Sequence, residues 1–237
     1  MADARRYRML ILGNSQGTRI GLASGNSYPV LLQQMLGDGV EVHRMLVSGW
    51  TLRDVAAVFD DNVLVLAPDL VVLQFGIVEA AQRILSDKAK AFFGLIPGGV
   101  RVTAWLHRHR AHVLRWRHAL GISTRLVDPQ EFSQLLAQIL ATMTARGIRH
   151  CLIRMPSFPD GGAAMRHPFV NQDIAVYNRV MDAYDCLAVE DAAGWNAQCI
   201  QSGTVHFTEA GHSVIATQLC QMVRARMRDG GMLPGVP

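Results

Sequence analysis

The sequence predicts a three-layer α/β/α fold, a doubly wound parallel five-stranded sheet covered by helices on both faces. Three observations point to it. Short apolar runs alternate with longer stretches of helical periodicity, the pattern of βα units. The runs are nearly continuous in Val, Ile, Leu and Met, as strands buried on both faces are. Turn residues collect where the first three runs end, at Gly13-Asn14-Ser15-Gln16-Gly17, Ser48-Gly49 and Gly76. In an open parallel sheet those carboxyl ends are where ligands bind.

Taken in order, strands are expected at Tyr7 to Leu12, Val40 to Leu46, Leu70 to Phe75, Arg149 to Met155 and Leu187 to Glu190, the last having the weakest pattern. Right-handed crossovers then give a flavodoxin-like strand order. Helical periodicity predicts helices over Tyr28 to Leu36, Leu52 to Asn62, Trp105 to Leu120, Pro129 to Arg146, Val170 to Ala183 and Thr208 to Met227. Thr208 is a suitable N-cap for the last, and Gly147 supplies the left-handed residue past the end of the fourth. Residues 1–229 read as one domain. Segment 83–128 is too long for a simple crossover and reads as a basic helical insertion, and 230–237 as a loose tail.

Composition narrows the class. Of the 237 residues 50% are hydrophobic and 18% charged, which is too apolar for a disordered chain. No stretch approaches the roughly 20 apolar residues of a membrane span, and Arg5, Arg6 and Arg8 precede only a short apolar run, so a cytoplasmic protein without a signal peptide is expected. Cys151, Cys186, Cys199 and Cys220 have no CxxC spacing and read as small buried hydrophobes, not as a disulfide framework or zinc site. Neither a metal nor a cofactor is expected. Five arginines and no acid fall within residues 101–118, and the remainder carries 18 basic against 19 acidic residues, so the net charge of +4 is one local patch. Such a patch is a small footprint for nucleic acid, which is not expected as a partner.

Ser15 leaves the first strand in a Gly-flanked turn, exposed on rigid backbone beside free N–H groups, as a nucleophilic hydroxyl requires. The glycines at 13 and 17 fit neither a dinucleotide fingerprint nor a P-loop. Gly49 follows the second strand and lets backbone approach a substrate. Gly76-Ile77-Val78-Glu79 follows the third strand. Far along the chain His206 stands in a loop just before the terminal helix, placed to reach over the sheet edge, and His212 inside that helix reads as a packing or surface residue.

These four segments, in this order, resemble the blocks of the SGNH (GDSL-like) hydrolase superfamily. Gly13-Asn14-Ser15 matches the Gly-Asp-Ser block, Gly49 the oxyanion glycine, Gly76 the start of Gly-x-Asn-Asp, and His206 the histidine of Asp-x-x-His. The resemblance implies an SGNH hydrolase fold and a serine esterase or acyltransferase. In it Ser15 is the nucleophile, His206 its base, and the N–H groups of Ser15 and Gly49 the oxyanion hole. Small acyl esters, such as acetyl groups on sugars or glycans, are the implied substrates.

Two departures stand out. Val78 occupies the place of the oxyanion asparagine, leaving Gln74 or Gln16 as third donor. Gly203 occupies the place of the aspartate, so the partner of His206 is either absent, giving a Ser–His dyad, or one of Asp191, Glu190, Glu209 and Glu79. Gly-Ile-Val-Glu with Arg83 four residues after Glu79 is similar to a subgroup pattern of Gly-Ile-Val-Asp followed by Arg. Glu79 and Arg83 then form a pair at helical spacing that shapes the substrate crevice, with Asn14, Gln16, Gln74 and Gly76 around it.

The run Trp105 to Leu120, WLHRHRAHVLRWRHAL, is amphipathic and cationic, with Trp105, His109, His112, Val113, Trp116 and Leu120 near one face. Its expected uses are contact with an anionic surface, a grip on an acidic partner, or a lid over the crevice; the plainer alternative is a core-packed helix with a solvated basic face.

Overall fold

The structure is a computed structural model that describes residues 6–23, 25–122, 124–159 and 167–229. The tail at 230–237 lies outside the described residues. The five strands are β1 (Tyr7–Gly13), β2 (Val40–Leu46), β3 (Leu70–Gln74), β4 (Arg149–Ile153) and β5 (Cys186–Leu187). All pair in parallel, in the order β2-β1-β3-β4-β5, which is the flavodoxin-like order. Strand β1 is an interior strand, flanked by β2 through Gly13↔Leu46 and by β3 through Gly13↔Gln74. The strand order reverses between β1 and β3, so the crevice for ligands opens above their carboxyl ends.

Apolar content explains the sheet. All five residues of β3 are buried, as are Met9 to Leu12 of β1, because helices cover both faces. Helices α1 (Tyr28–Leu36), α2 (Leu52–Val58) and α3 (Ile77–Ala80) follow the first three strands. Helices α4 (Asp87–Leu95), α5 (Gly99–Arg108) and α6 (Arg110–Ala119) fill the stretch before α7 (Pro129–Ala145). Helix α8 (Val170–Met181) and the terminal α9 (Glu209–Asp229) complete the layers, with α9 packed on α1.

Three elements differ from the sequence expectation. The helix expected to Asn62 stops at Val58 and passes into a π turn (Phe59–Val63). The helix expected over Trp105 to Leu120 begins at Gly99 and breaks at His109, which belongs to neither α5 nor α6. The last strand is only Cys186–Leu187, because Val189–Asp191 turns into a 3-10 helix. Elsewhere local chemistry acts as expected. Thr208 Oγ1 accepts from Gly211 N at the start of α9, and Gly147 sits at φ +68° past α7. All four cysteines are free, and Cys151, Cys199 and Cys220 are buried.

Candidate active site

The site is built first by the turn after β1. Asn14 is fully buried and caps the turn, its Oδ1 accepting from Gln16 N at 3.2 Å. Thr18 closes the turn from the other side, its N and Oγ1 donating to Ser15 O. Gly17 packs closely on β2, since a Cβ there would lie 2.8 Å from Leu46 Cδ2 and would push that side chain aside. The turn is thereby pressed onto the sheet while Ser15 remains half-buried at its apex.

Residues near the other end of the chain meet it. His206 Nε2 lies 3.1 Å from Ser15 Oγ, across 191 positions of sequence. The loop carrying His206 is tied at several points. Gln201 N donates to His206 O at 2.9 Å, Gln201 Nε2 donates to Phe207 O at 2.7 Å, and His206 N donates to Thr204 Oγ1 at 3.1 Å. Gln16 Nε2 donates to Val205 O at 2.7 Å, so the nucleophile turn holds the histidine loop directly. Phe207 is fully buried and packs edge-on against Trp195 and His212, which anchors the loop to the core. A hydroxyl and an imidazole fixed in this way need little ordering before reaction.

Burial lowers the pKa of His206 below the usual histidine value, and no carboxylate offsets it. Among the described residues no acid is seen hydrogen-bonded to the ring. Glu190 accepts from Ser157 N, Asp191 is exposed at the end of a 3-10 turn, and Glu79 is engaged elsewhere. Gly203 sits at φ +73° with open space around its missing Cβ.

Glu79 is not part of the reacting pair. It is fully buried, and its carboxyl accepts from Leu52 N at 2.7 Å and Gly76 N at 2.8 Å. It therefore ties the turn after β3 to the start of α2, directly behind the Gly49 loop. The helical pair with Arg83 does not form, because α3 ends at Ala80 and the carboxyl is already committed to backbone. Burial raises the Glu79 pKa to about 7, against the two backbone N–H groups that lower it. The folded chain thus binds this proton more tightly than the unfolded chain does, so stability falls as pH rises from about 4.5 to about 7, by up to about 3 kcal/mol. Glu79→Ala leaves two buried donors without acceptors and is expected to lose roughly 2–4 kcal/mol at pH 5 and less at pH 8. Urea unfolding at the two pH values checks this; a loss that is the same at both contradicts it.

Neither glutamine expected as a donor faces the substrate. The amide nitrogen of Gln16 is spent on Val205 O, and Gln74 is fully buried, its Oε1 accepting from Tyr28 Oη at 2.8 Å beneath the turn. Gly49 lies in the exposed turn after β2 at φ +79°, a conformation that favours glycine, and Gly76 sits at φ +114°. Among the described residues the N–H groups of Ser15 and Gly49 donate to nothing.

Ser15 and His206 open into a crevice of about 440 Å³. Its apolar wall includes Ile77, Val78, Ala81, Leu126, Val170 and Val205, so Val78 stands at the substrate as a contact without a donor. Its polar part comes from Arg83, Arg110 and His167. His167 Nε2 accepts from Gln82 N at 2.7 Å, which puts the proton of the neutral ring on Nδ1, and burial lowers its pKa. Arg110 and Arg117 donate to Gln82 O and Ile84 O, both at 2.7 Å, so α6 forms one side of the crevice. Asn14, Gln16, Gln74, Gly49 and Gly76 are not among the lining residues. Sequence reasoning did not place His167, Leu126 or Val170 at the crevice; Leu126 lies in the insertion, His167 just before α8 and Val170 at its start, and none carries a local motif. It also missed that His212 Nδ1 accepts from Tyr28 N at 3.0 Å, a contact joining α9 to α1.

A profile of the GDSL-like lipase/acylhydrolase family matches residues 11–214, which takes in both Ser15 and His206. The chain belongs to the GDSL-like lipase/acylhydrolase family. Solved structures of similar fold include a lipase/acylhydrolase from Enterococcus faecalis, at 16% identity and TM-score 0.61 over 93% of this chain and 96% of that one. An acetylxylan esterase from Geobacillus stearothermophilus matches at 17% identity and TM-score 0.56, over 91% and 93% of the two chains. An α/β hydrolase enzyme from the Lake Arreo metagenome matches at 22% identity and TM-score 0.57, over 98% and 99%. At such identities the likeness is one of fold. No curated protein sequence matches this acylhydrolase-family chain. No described helix is long and apolar enough to cross a membrane.

Proposed function

We propose that this acylhydrolase-family protein is a serine esterase that cleaves small acyl esters, acetyl groups on sugars or glycans foremost, through a Ser15–His206 dyad. The observation that carries this is the 3.1 Å contact between Ser15 Oγ and His206 Nε2 at the mouth of a mostly apolar crevice. The acetylxylan esterase among the structures of like fold supports the choice of acyl group.

In this reading neutral His206 takes the Ser15 proton as Oγ attacks the ester carbonyl. The N–H groups of Ser15 and Gly49 hold the negative oxygen of the tetrahedral intermediate. His206 then returns the proton to the departing alkoxide, leaving an acyl-serine and a free alcohol. Water, deprotonated by the same imidazole, attacks the acyl group, and the imidazolium returns the proton to Ser15 Oγ as the acid leaves. An acceptor alcohol in place of water makes the same enzyme an acyltransferase. A panel of p-nitrophenyl esters and acetylated xylo-oligosaccharides tests the proposal. Turnover is expected to be highest with acetyl and to fall with longer chains; no ester hydrolysis above the uncatalysed rate contradicts it.

The empty space at Gly203 gives a gain-of-function test. Asp tolerates a left-handed backbone better than most residues, at a cost of roughly 1 kcal/mol. Gly203→Asp is expected to stabilise the imidazolium, raising kcat about tenfold or more and moving the acid limb of its pH profile upward. Unchanged kcat and an unmoved limb contradict a dyad that lacks only its acid.

A further inference from the structure

We propose that the helical segment from Lys88 to Ile122 is a docking surface for an anionic lipid bilayer. Residues 88–122 carry seven Lys and Arg and no acid, Asp87 at the start of α4 being the acid that flanks them, so the segment is strongly positive. It also has almost no core, since within it only Gly99 and Leu114 are buried. Nine of the twelve large apolar side chains exposed among the described residues fall here, which makes the patch a property of this segment and not of the surface at large. They include Leu95 at 85% exposure, Val100 at 73%, Trp116 at 65%, Phe92 at 60% and Trp105 at 56%.

The plainer alternative, a helix with its apolar face packed on the core, does not describe this segment. Trp105, Trp116 and Leu120 point outward, and α6 is held through Leu114, the arginine contacts to the 82–84 loop, and stacking of His118 on Phe169 at 4.0 Å. Protruding apolar side chains interspersed with exposed Arg101, Arg108 and Arg115 suit a soft interface that takes aromatic and aliphatic groups below a layer of negative headgroups. A second copy is a poor occupant, because a symmetric contact sets the same acid-free cationic segment against itself. A bound acidic peptide needs a groove, and these side chains stand out from the surface. Because Arg110 of α6 also lines the crevice, docking sets the esterase site beside the bilayer.

The test is sedimentation with vesicles, which does not depend on the esterase reading. The full chain is expected to pellet with vesicles of phosphatidylcholine containing about a third phosphatidylglycerol at roughly 0.1 M salt, and to be released at several times that concentration. It is expected to stay in solution with phosphatidylcholine alone. Arg101→Gln/Arg108→Gln/Arg115→Gln and Leu95→Ser/Val100→Ser/Trp105→Ser, all at exposed positions, are each expected to lower partitioning about tenfold or more with circular dichroism unchanged. No binding to the anionic vesicles, or equal binding by the apolar triple variant, overturns the proposal. So does a micromolar dimer that the apolar variant dissociates, which would assign the face to a second copy.

Discussion

Ser15→Ala is expected to lower kcat/KM for p-nitrophenyl acetate by about 10⁴-fold or more. The hydroxyl is the only part of the side chain that the substitution removes, and it makes its one hydrogen bond to His206. The turn is held by Asn14, Thr18 and the packing of Gly17, none of which needs the Ser15 hydroxyl. Fold and unfolding midpoint should therefore stay within about 0.5 kcal/mol of wild type, as for an ordinary surface change. A steady-state assay beside a thermal melt separates the effects. Retention of more than a tenth of the activity would place the nucleophile elsewhere.

His206→Ala is expected to cost a similar factor, about 10⁴-fold, and the double variant little more than either single one, since base and nucleophile act as one unit. The wild-type pH profile carries a further signature. Burial disfavours the imidazolium, so His206 becomes neutral, and hence able to accept the serine proton, below the usual histidine pKa. The acid limb of kcat/KM should then level off below about pH 6.5. An acid limb centred above that value would require a carboxylate at the ring. Double-mutant kinetics and a pH series on wild type check both statements.

How far the sequence reaches is clearest when particular residues are followed into the structure. Buried parallel strands leave continuous apolar runs, so β1 through β4 and their order were legible, and so were Ser15 and His206, because glycine-rich turns and a pre-helix histidine leave local marks. What could not be read depends on contacts between distant residues. Nothing near Gln16 in sequence indicates that its amide will hold Val205 O, 189 positions away. Glu79 looked like a candidate acid because its spacing is that of a motif, whereas its role is set by Leu52 N, a partner 27 positions away at the start of another helix. The break at His109 and the outward apolar face of α5 and α6 were hidden for a different reason. Amphipathic periodicity reports that a helix has an apolar face but not what, if anything, covers it.

The most direct test of the central claim is covalent capture. After reaction with a fluorophosphonate, peptide mass mapping is expected to find one adduct, on the peptide carrying Ser15, formed in wild type and lost in Ser15→Ala and His206→Ala. An adduct on another residue, or labelling that persists in both variants, would contradict the Ser15–His206 dyad and the esterase built on it.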